Sequence, residues 1–345
     1  MTAVASAPRT FIPQPTEPPA SNPRSLEHKV DQGDRFFRIG TGATGVAVLA
    51  LMAAVGIFLT AQAAQALAKV GPIKFLTTAD WQPDRAHFGI EAVLAGTVFI
   101  AVIAVVIAMP LAMGTALFIT EVSPPKLRSL LVALVDLMAA VPSVVYGIWG
   151  AYFFQDKVIS VARWVSTWFS WIPIFKVDGS APHAALPNMS VFTASTFIAG
   201  VVVALMVMPI QCSVMREVFS QVPAGEREGA FALGSTRWGM IRIVSLPFGQ
   251  GGIIGGTMLG LGRALGETIA VVLIISPVFD VNFHVFQTGS NSVSSLIALR
   301  YGEASGFGLS ALFAAGLALF VMTLAVNFVA SIFIARSRSG AESEA

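Results

Sequence analysis

The chain has 345 residues, a formal net charge of +2, 55% hydrophobic residues and only 12% charged residues. Soluble domains average about 25% charged residues, so this composition excludes an ordinary water-facing globular surface. The small net charge and the scattered basic residues do not favour a nucleic-acid partner. The single cysteine, Cys212, excludes an intramolecular disulfide and a cysteine-based metal cluster.

The first 34 residues are rich in proline, alanine and serine and carry scattered charges. Because this composition cannot bury a hydrophobic core, it predicts a disordered tail. Six apolar segments follow, each with about 18 or more residues, the length that a helix needs to cross the hydrocarbon core of a membrane. They cover residues 39–66, 90–120, 130–154, 191–212, 252–277 and 309–335. We therefore predict an all-α membrane protein with six transmembrane helices.

These segments divide the chain into a tail (1–34), a first transmembrane helix with an exterior loop (35–89), a domain of five transmembrane helices (90–335) and a second tail (336–345). The first segment is about twice as long as the apolar region of a signal peptide, so an uncleaved span is expected. Of the 21 Lys and Arg residues, thirteen then lie on the inner side and seven on the outer side. This asymmetry predicts that both termini are cytoplasmic.

The exterior loop 155–190 contains Trp164, Trp168 and Trp171, which recur at helical intervals. This spacing predicts an interfacial helix whose indole rings lie at the level of the lipid headgroups. A docking surface for an external partner is the alternative.

The cytoplasmic loop at about 213–247 mixes charged side chains with apolar ones, which favours short amphipathic helices over a flexible linker. Gly234 follows the run EREGAFAL and predicts a helix C-terminus. Pro247 then interrupts the chain before the fifth segment. A helix–glycine–helix element of this kind suits a rigid surface that another protein binds. A pair of helices lying along the bilayer fits the residues equally well.

Within this loop, EGAFALGSTRWGMIRIVSLP resembles the EAA loop of ABC-importer permeases, whose pattern is E-A-A, three residues, G, nine residues and I-x-L-P. The residues in register are Glu228, Ala230, Gly234, Leu246 and Pro247. Two positions depart from the pattern, because Gly229 replaces the first alanine and Val244 replaces the isoleucine. A glycine in a helix costs about 1 kcal/mol relative to alanine. On these residues the chain is identified as a member of the binding-protein-dependent ABC transporter permease family.

Within that family the chain is most similar to PstC-type permeases of phosphate importers. The similar stretches are PLAMGTALFITEVSPPKLRSLL, DLMAAVPSVVYGIWG, MREVFSQVP, LGSTRWGMIRIVSLP and LGLGRALGETIAV. The resemblance implies a type I ABC importer permease fold in a bacterial inner membrane. It also implies a PstA-like second permease, a PstB-like ATPase dimer, a PstS-like extracytoplasmic phosphate-binding protein and inorganic phosphate as substrate. By the same resemblance, Glu228, Ala230 and Gly234 couple the permease to the ATPase.

Two charged residues, Arg263 and Glu267, lie inside the fifth apolar segment. Each costs at least ~2.5–3.5 kcal/mol to insert into a membrane, and such residues normally face the protein interior or water. At i and i+4, Arg263 and Glu267 are expected to lie about 40° apart on one helix face, so they can pair. One interpretation is therefore a self-neutralising pair, or an arginine that pairs with Asp136.

The other interpretation is an anion site in a translocation path, because a guanidinium offers a fork of donors that matches a tetrahedral oxyanion. Glu267 would then hold Arg263 while the path is empty. The family resemblance associates both residues with phosphate passage. In the same segment, Gly252, Gly256 and Gly260 recur every four residues and predict close packing against a neighbouring helix. A backbone left bare to widen the path is the alternative.

The sequence contains no G-x-x-x-x-G-K-[ST] motif, so we expect no ATP binding through a P-loop and assign energy supply to a partner. It predicts no catalytic residue, metal site or cofactor. A permease for sulfate or molybdate stays open, since one arginine does not distinguish tetrahedral oxyanions. An ATP-independent secondary transporter and a membrane anchor are further alternatives, against which the EAA pattern argues.

Overall fold

The computed structural model describes residues 32–179, 188–304 and 306–338. Those residues form a predominantly helical structure. The helices are α1 (Gln32–Val70), α2 (Pro72–Thr77), α3 (Glu91–Leu117), α4 (Pro125–Ala140), α5 (Ser143–Trp149), α6 (Gln155–Trp168), α7 (Thr196–Ser220), α8 (Ala224–Ala232), α9 (Arg237–Met240), α10 (Leu246–Phe248), α11 (Gln250–Leu265), α12 (Ile269–Ile274), α13 (Val293–Arg300) and α14 (Phe307–Arg338). An antiparallel ribbon pairs β1 (Trp81–Gln82) with β2 (His87–Phe88).

Three π-helical turns interrupt this pattern within the described residues. They lie at Phe118–Val122, where α3 ends, at Gly150–Phe154, between α5 and α6, and at Ile241–Ser245, between α9 and α10. Such turns are rare and occur often at functional sites.

Four of the six predicted segments form continuous helices that are long and apolar enough to cross a membrane. These helices are Gly33–Val70, Glu91–Val122, Thr196–Ser220 and Phe307–Ile332. A fifth crossing is present if α4 is counted together with the helical stretch that follows it, from which it is bent by 87°. The predictions at 39–66, 90–120, 191–212 and 309–335 are thus confirmed as helices.

The prediction of a continuous helix is wrong for the third segment, 130–154. α4 ends at Ala140, and the next helix begins after Pro142. A proline disfavours helical geometry in the preceding residue, and Val141 accordingly adopts an extended conformation (φ −66°, ψ 127°). The chain therefore turns sharply at the VPS sequence.

The fifth segment, 252–277, is also broken. α11 ends at Leu265 and α12 covers only Ile269–Ile274. At 16 residues, α11 is about 24 Å long, short of a full crossing of about 30 Å. Six membrane crossings therefore remain a prediction, whereas six continuous helices are excluded by these two breaks.

The two predicted tails fall mostly outside the described residues. The last residues of the predicted N-terminal tail, 32–34, belong to the first turn of α1, and the first residues of the C-terminal tail, 336–338, belong to the last turn of α14. The first half of α1, up to Ala53, forms a separate unit in which the described side chains are exposed. All contacts given below lie within the second unit, which begins at Ala54.

The packed core of the second unit is built on α3 and α7, which run against each other, with α11 across both. On α3, the fully buried residues Ala104, Ala108 and Ala112 recur every four positions. On α7, a Cβ at Gly200 would meet the side chain of Ile103. Small residues at these positions let the helix backbones approach closely, as is usual for helix pairs in membranes.

The bundle has two distinct ends. The α8 end comprises the C-termini of α3 and α7, helices α8 to α10 and the start of α11. At the opposite end, the loop after α6 is joined to the loop after α12 by backbone hydrogen bonds from Val285 to Ile174 (3.1 Å) and from Thr288 to Val191 (2.7 Å).

The predicted interfacial helix is α6, which presents Trp164 and Trp168 to the surface with 58% and 69% exposure. Trp171 lies beyond the end of α6, so its predicted place on that helix is wrong. Nearby, Lys176 forms an ion pair with Asp178 (2.9 Å). The hydrogen bond from Lys176 lowers the pKa of the Asp178 carboxyl, and the charge of Lys176 adds to this effect.

The close approach of α3 to the 290–292 segment generates a stability prediction. A Cβ at Gly96 would overlap the backbone carbonyl oxygen of Asn291. We expect Gly96→Ala to destabilise the protein by about 1–3 kcal/mol, because a backbone atom cannot move aside as a side chain can. Thermal unfolding of the detergent-solubilised protein measures the effect. The matched control is Gly114→Ala on the same helix, where nothing lies within 4 Å. A Gly96 variant as stable as this control would contradict the prediction.

Candidate functional site

The two charged residues of the fifth segment flank a helix break. Arg263 lies in the last turn of α11, and Gly266 caps that helix by donating its N–H to the Arg263 carbonyl oxygen (3.2 Å). Glu267 follows in the non-helical link before α12. The prediction that Arg263 and Glu267 share one face of a continuous helix is therefore wrong.

Glu267 holds the break together. Its Oε1 atom accepts a hydrogen bond from the Ala270 N–H (3.3 Å), which satisfies a free donor in the first turn of α12. Its backbone oxygen accepts a hydrogen bond from the Ser294 hydroxyl (2.7 Å), which ties the break to α13. Among the described residues, the side chain of Glu267 thus contacts backbone rather than a cation.

In the permease chain on its own, without a partner subunit, Arg263 is exposed. Across the described parts of the chain, no ion pair joins it to Glu267 or to Asp136, the two partners that the sequence suggests. An arginine in an apolar segment is stable only beside water, a counter-ion or protein polar groups. The guanidinium is consequently available to a ligand or a partner subunit.

Gly252, Gly256 and Gly260 of α11 face α7, which confirms the predicted packing against a neighbouring helix. A Cβ at Gly252 would meet the Val218 side chain, and a Cβ at Gly260 would overlap the side-chain amide of Gln211. Gln211 is fully buried, and neither its Nε2 nor its Oε1 has a hydrogen-bond partner among the described residues. Our sequence interpretation missed this residue, although a lone glutamine in the apolar run VALMVMPIQCSVM is a visible signal.

At the α8 end, the predicted helix–glycine–helix element is confirmed. α8 ends in a left-handed Gly234 (φ +82°) that donates to the Phe231 carbonyl (2.9 Å), while Ser235 donates to the Ala230 carbonyl (3.1 Å). This pair of bonds is the Schellman arrangement, which requires a residue at positive φ. Thr236 then caps α9 by accepting a hydrogen bond from the Gly239 N–H (3.1 Å). The loop is therefore a defined structural unit.

The surface of this unit is unusually apolar. A groove of about 460 Å³ lies between α8 and the segment that leads into α11. It is lined by Glu226, Gly229, Ala230, Leu233, Ile243, Val244, Pro247 and Phe248. Leu233 is 89% exposed and Ile243 is 66% exposed. An exposed apolar surface of this kind suits contact with another protein or with the bilayer. Glu228 is exposed on α8 but does not line the groove.

Beneath the groove lies a cluster that our sequence interpretation also missed, here named the Glu121 junction. It consists of Glu121, Arg227, Ser245 and the backbone carbonyl of Phe219. Arg227 pairs with Glu121 (3.2 Å) and donates to the Phe219 carbonyl (2.9 Å), while the Ser245 hydroxyl donates to Glu121 (3.1 Å). Glu121 occurs in the quoted stretch FITEVSPP, but no spacing in the sequence relates it to Arg227.

A comparison of the sequence with known protein families matches residues 104–339 to the family described as "Binding-protein-dependent transport system inner membrane component". This match covers more than half of the chain. The chain belongs to this family. The EAA resemblance is thereby confirmed, and the chain is a non-catalytic, multi-pass membrane permease.

Curated relatives of this permease are similar over nearly their whole length. The phosphate transport system permease protein PstC of Pasteurella multocida is 36% identical over 303 residues, which cover 87% of this chain and 91% of the relative. PstC 2 of Mycobacterium tuberculosis is 34% identical over 304 residues, with the same coverage. PstC of Xylella fastidiosa strain Temecula1 is 33% identical over 328 residues, covering 95% and 97%.

Solved structures share the fold. A chain of a bacterial ABC transporter involved in the import of alginate superposes with a TM-score of 0.58 at 16% identity, covering 88% of the permease and 96% of that chain. A chain of the MetNI methionine ABC transporter, in an inward facing conformation, gives a TM-score of 0.50 at 12% identity, covering 72% and 95%. The permease thus has the type I ABC importer permease fold.

Gly229 within α8 and Gly234 just beyond its end generate opposite predictions. Gly234→Ala places a Cβ on a left-handed residue and should loosen the end of α8, whereas Gly229→Ala should stabilise the helix by about 1 kcal/mol. Nothing lies within 4 Å of a Cβ at either position, so packing does not confound the comparison. Hydrogen exchange of the Gly234 and Ser235 amides, or of alanine at 234, measures the effect. Faster exchange is expected in the first variant and slower exchange in the second; equal exchange in both would argue against the capping role.

Proposed function

We propose that the permease forms half of the translocation path of an ATP-driven importer of inorganic phosphate in a bacterial inner membrane. The observation that carries this proposal is the guanidinium of Arg263 at the end of α11, which is exposed and has no ion-pair partner among the described residues. A fixed positive charge with a planar fork of donors suits a tetrahedral oxyanion. The three curated relatives described above are named as phosphate transport system permeases, which supports phosphate as that oxyanion.

In this proposal, Arg263 contacts the passing anion and Glu267 lines the same path. One Glu267 oxygen is engaged with Ala270, while its second oxygen has no hydrogen bond among the described residues. A carboxylate next to the arginine repels phosphate and lowers the residence time of the anion at the guanidinium. A transport site needs that property, because a site that binds too tightly does not release its ligand.

The proposed partners are an ATPase dimer, a second permease and an external phosphate-binding protein. The ATPase would bind the α8–α9 unit, with Ala230 in the groove wall, Gly234 at the turn and Glu228 as an exposed polar contact. The sequence has no P-loop, so the energy for transport comes from a partner. A solved alginate transporter with a TM-score of 0.57 was captured in complex with its periplasmic protein. The charge asymmetry of the loops supports the orientation proposed with these partners, in which the α8 end and both termini lie on the cytoplasmic side.

Substitutions at Arg263 and Glu267 separate transport roles from structural ones. Arg263→Gln removes the charge and should reduce phosphate uptake roughly tenfold or more, since a hydrogen bond to a charged group contributes about 1.5–3 kcal/mol. Arg263→Lys keeps the charge and should retain part of the uptake. Glu267→Gln keeps an oxygen acceptor for the Ala270 N–H, so the complex should still assemble. A change in phosphate uptake by this variant would then show that the carboxylate charge acts on transport. Labelled phosphate uptake in cells with the assembled complex is the measurement. Phosphate uptake by Arg263→Gln at the wild-type level would contradict the assignment of Arg263 to the translocation path.

Reconstitution tests the energy source and the substrate. The purified complex in liposomes, supplied with its binding protein, should import phosphate only when ATP is present on the α8 side. Excess sulfate or molybdate should leave the import of labelled phosphate unchanged, whereas unlabelled phosphate should compete. Import driven by an ion gradient without an ATPase would identify a secondary transporter instead. Import of sulfate or molybdate in preference to phosphate would correct the substrate.

A further inference from the structure

The Glu121 junction joins three segments of the α8 end through one carboxylate oxygen. Oε1 of Glu121, on the π-helical turn that ends α3, lies 3.2 Å from Nη2 of Arg227 on α8. The same oxygen accepts a hydrogen bond from the hydroxyl of Ser245, the last residue of the π-helical turn at Ile241–Ser245. Arg227 also reaches the end of α7 through the Phe219 carbonyl. A single acceptor thus connects α8 to α3 and to the segment that leads into α11.

Because its polar groups are buried, this connection tolerates little displacement of one helix relative to another. The Glu121 side chain is 3% exposed and Ser245 is fully buried, whereas the Arg227 side chain is 27% exposed. A buried carboxylate that loses its cation is left uncompensated in a medium of low polarity. A displacement of α8 that left α3 behind would separate Arg227 from Glu121. The pair therefore favours movement of α8 and α3 together.

The helices attached to the junction extend to the candidate site. α3 runs along α7 through the core, and α11 begins a few residues after Ser245. The far end of α11, about 24 Å away for 16 helical residues, carries Arg263. A single helix thus extends from near the junction to the candidate anion site, and two π-helical turns meet at the junction itself.

We infer that the Glu121 junction transmits the displacement of α8 to α3 and α11, so that Glu121 is a positioning residue for coupling. This inference rests on the proposed function, in which an ATPase binds the α8–α9 unit. Glu121 contacts neither the ATPase surface nor the anion in this scheme. It acts through Arg227 and Ser245, and its loss uncouples ATP hydrolysis from transport.

The test measures phosphate imported per ATP hydrolysed by the purified complex in liposomes. Glu121→Gln keeps the size of the side chain and an oxygen acceptor but removes the charge. We expect ATP hydrolysis to continue while phosphate import falls about tenfold, within the range usual for coupling between sites. Arg227→Gln should lower the ratio similarly. The variant that carries both substitutions should lower the ratio no further than either single variant, since both substitutions remove the same interaction. Ser245→Ala should give a smaller fall of the same sign.

The matched control is Glu217→Gln, an exposed glutamate near the same end of α7 whose side chain bonds only Gln221 among the described residues. Its ratio should equal that of the wild type. An unchanged ratio in Glu121→Gln, or a parallel loss of hydrolysis and import, would overturn the inference. If the Glu121 variant does not assemble, Ser245→Ala provides the test. An unchanged ratio of phosphate imported to ATP hydrolysed in that variant would also overturn the inference. A wild-type complex that hydrolyses ATP without importing phosphate would refute the proposed function itself.

Discussion

The hydrocarbon core of a membrane contains no water to satisfy a free backbone group, so every break in a membrane helix needs internal partners. The break between α11 and α12 meets this requirement with its own residues. The Glu267 N–H reaches the Ala264 carbonyl, and the Glu267 carboxylate receives the Ala270 N–H. Since the backbone groups at the break have partners, the chain can end a helix beside Arg263 and leave that side chain without an ion pair among the described residues.

The two ends of α11 join the parts of the permease that transport would connect. Its start follows the Glu121 junction, where buried polar contacts hold α8, α3 and α7 in register. Its end presents Arg263, and its glycine face rests on α7. The same short helix therefore spans the distance between the surface that suits a partner protein and the candidate anion site. A longer, unbroken helix would carry Arg263 and Glu267 on one face and favour their mutual neutralisation.

Much of this molecule could be predicted from local sequence. Apolar length located four spans, and the EAA spacing located α8 with its left-handed Gly234, because these features depend on contacts within a few residues. The breaks were missed for a related reason. Hydropathy does not detect the breaks at Pro142 and at residues 266–268, since both lie in runs that stay apolar on average. Gln211 and Glu121 were visible as polar residues, but their surroundings depend on helices that are distant in the chain.

The sequence by itself determined that the chain is a helical membrane protein, which family it resembles, and that Arg263 and Glu267 lie in an apolar segment. Composition and spacing suffice for these points, because each depends on the energy of moving single segments into lipid. Only the tertiary structure decided which groups these charged side chains contact. It directs the Glu267 carboxylate to backbone, leaves Arg263 unpaired within the described chain, and brings Glu121 to Arg227 across 106 positions of sequence. Such pairings arise from helix packing, which no local pattern encodes.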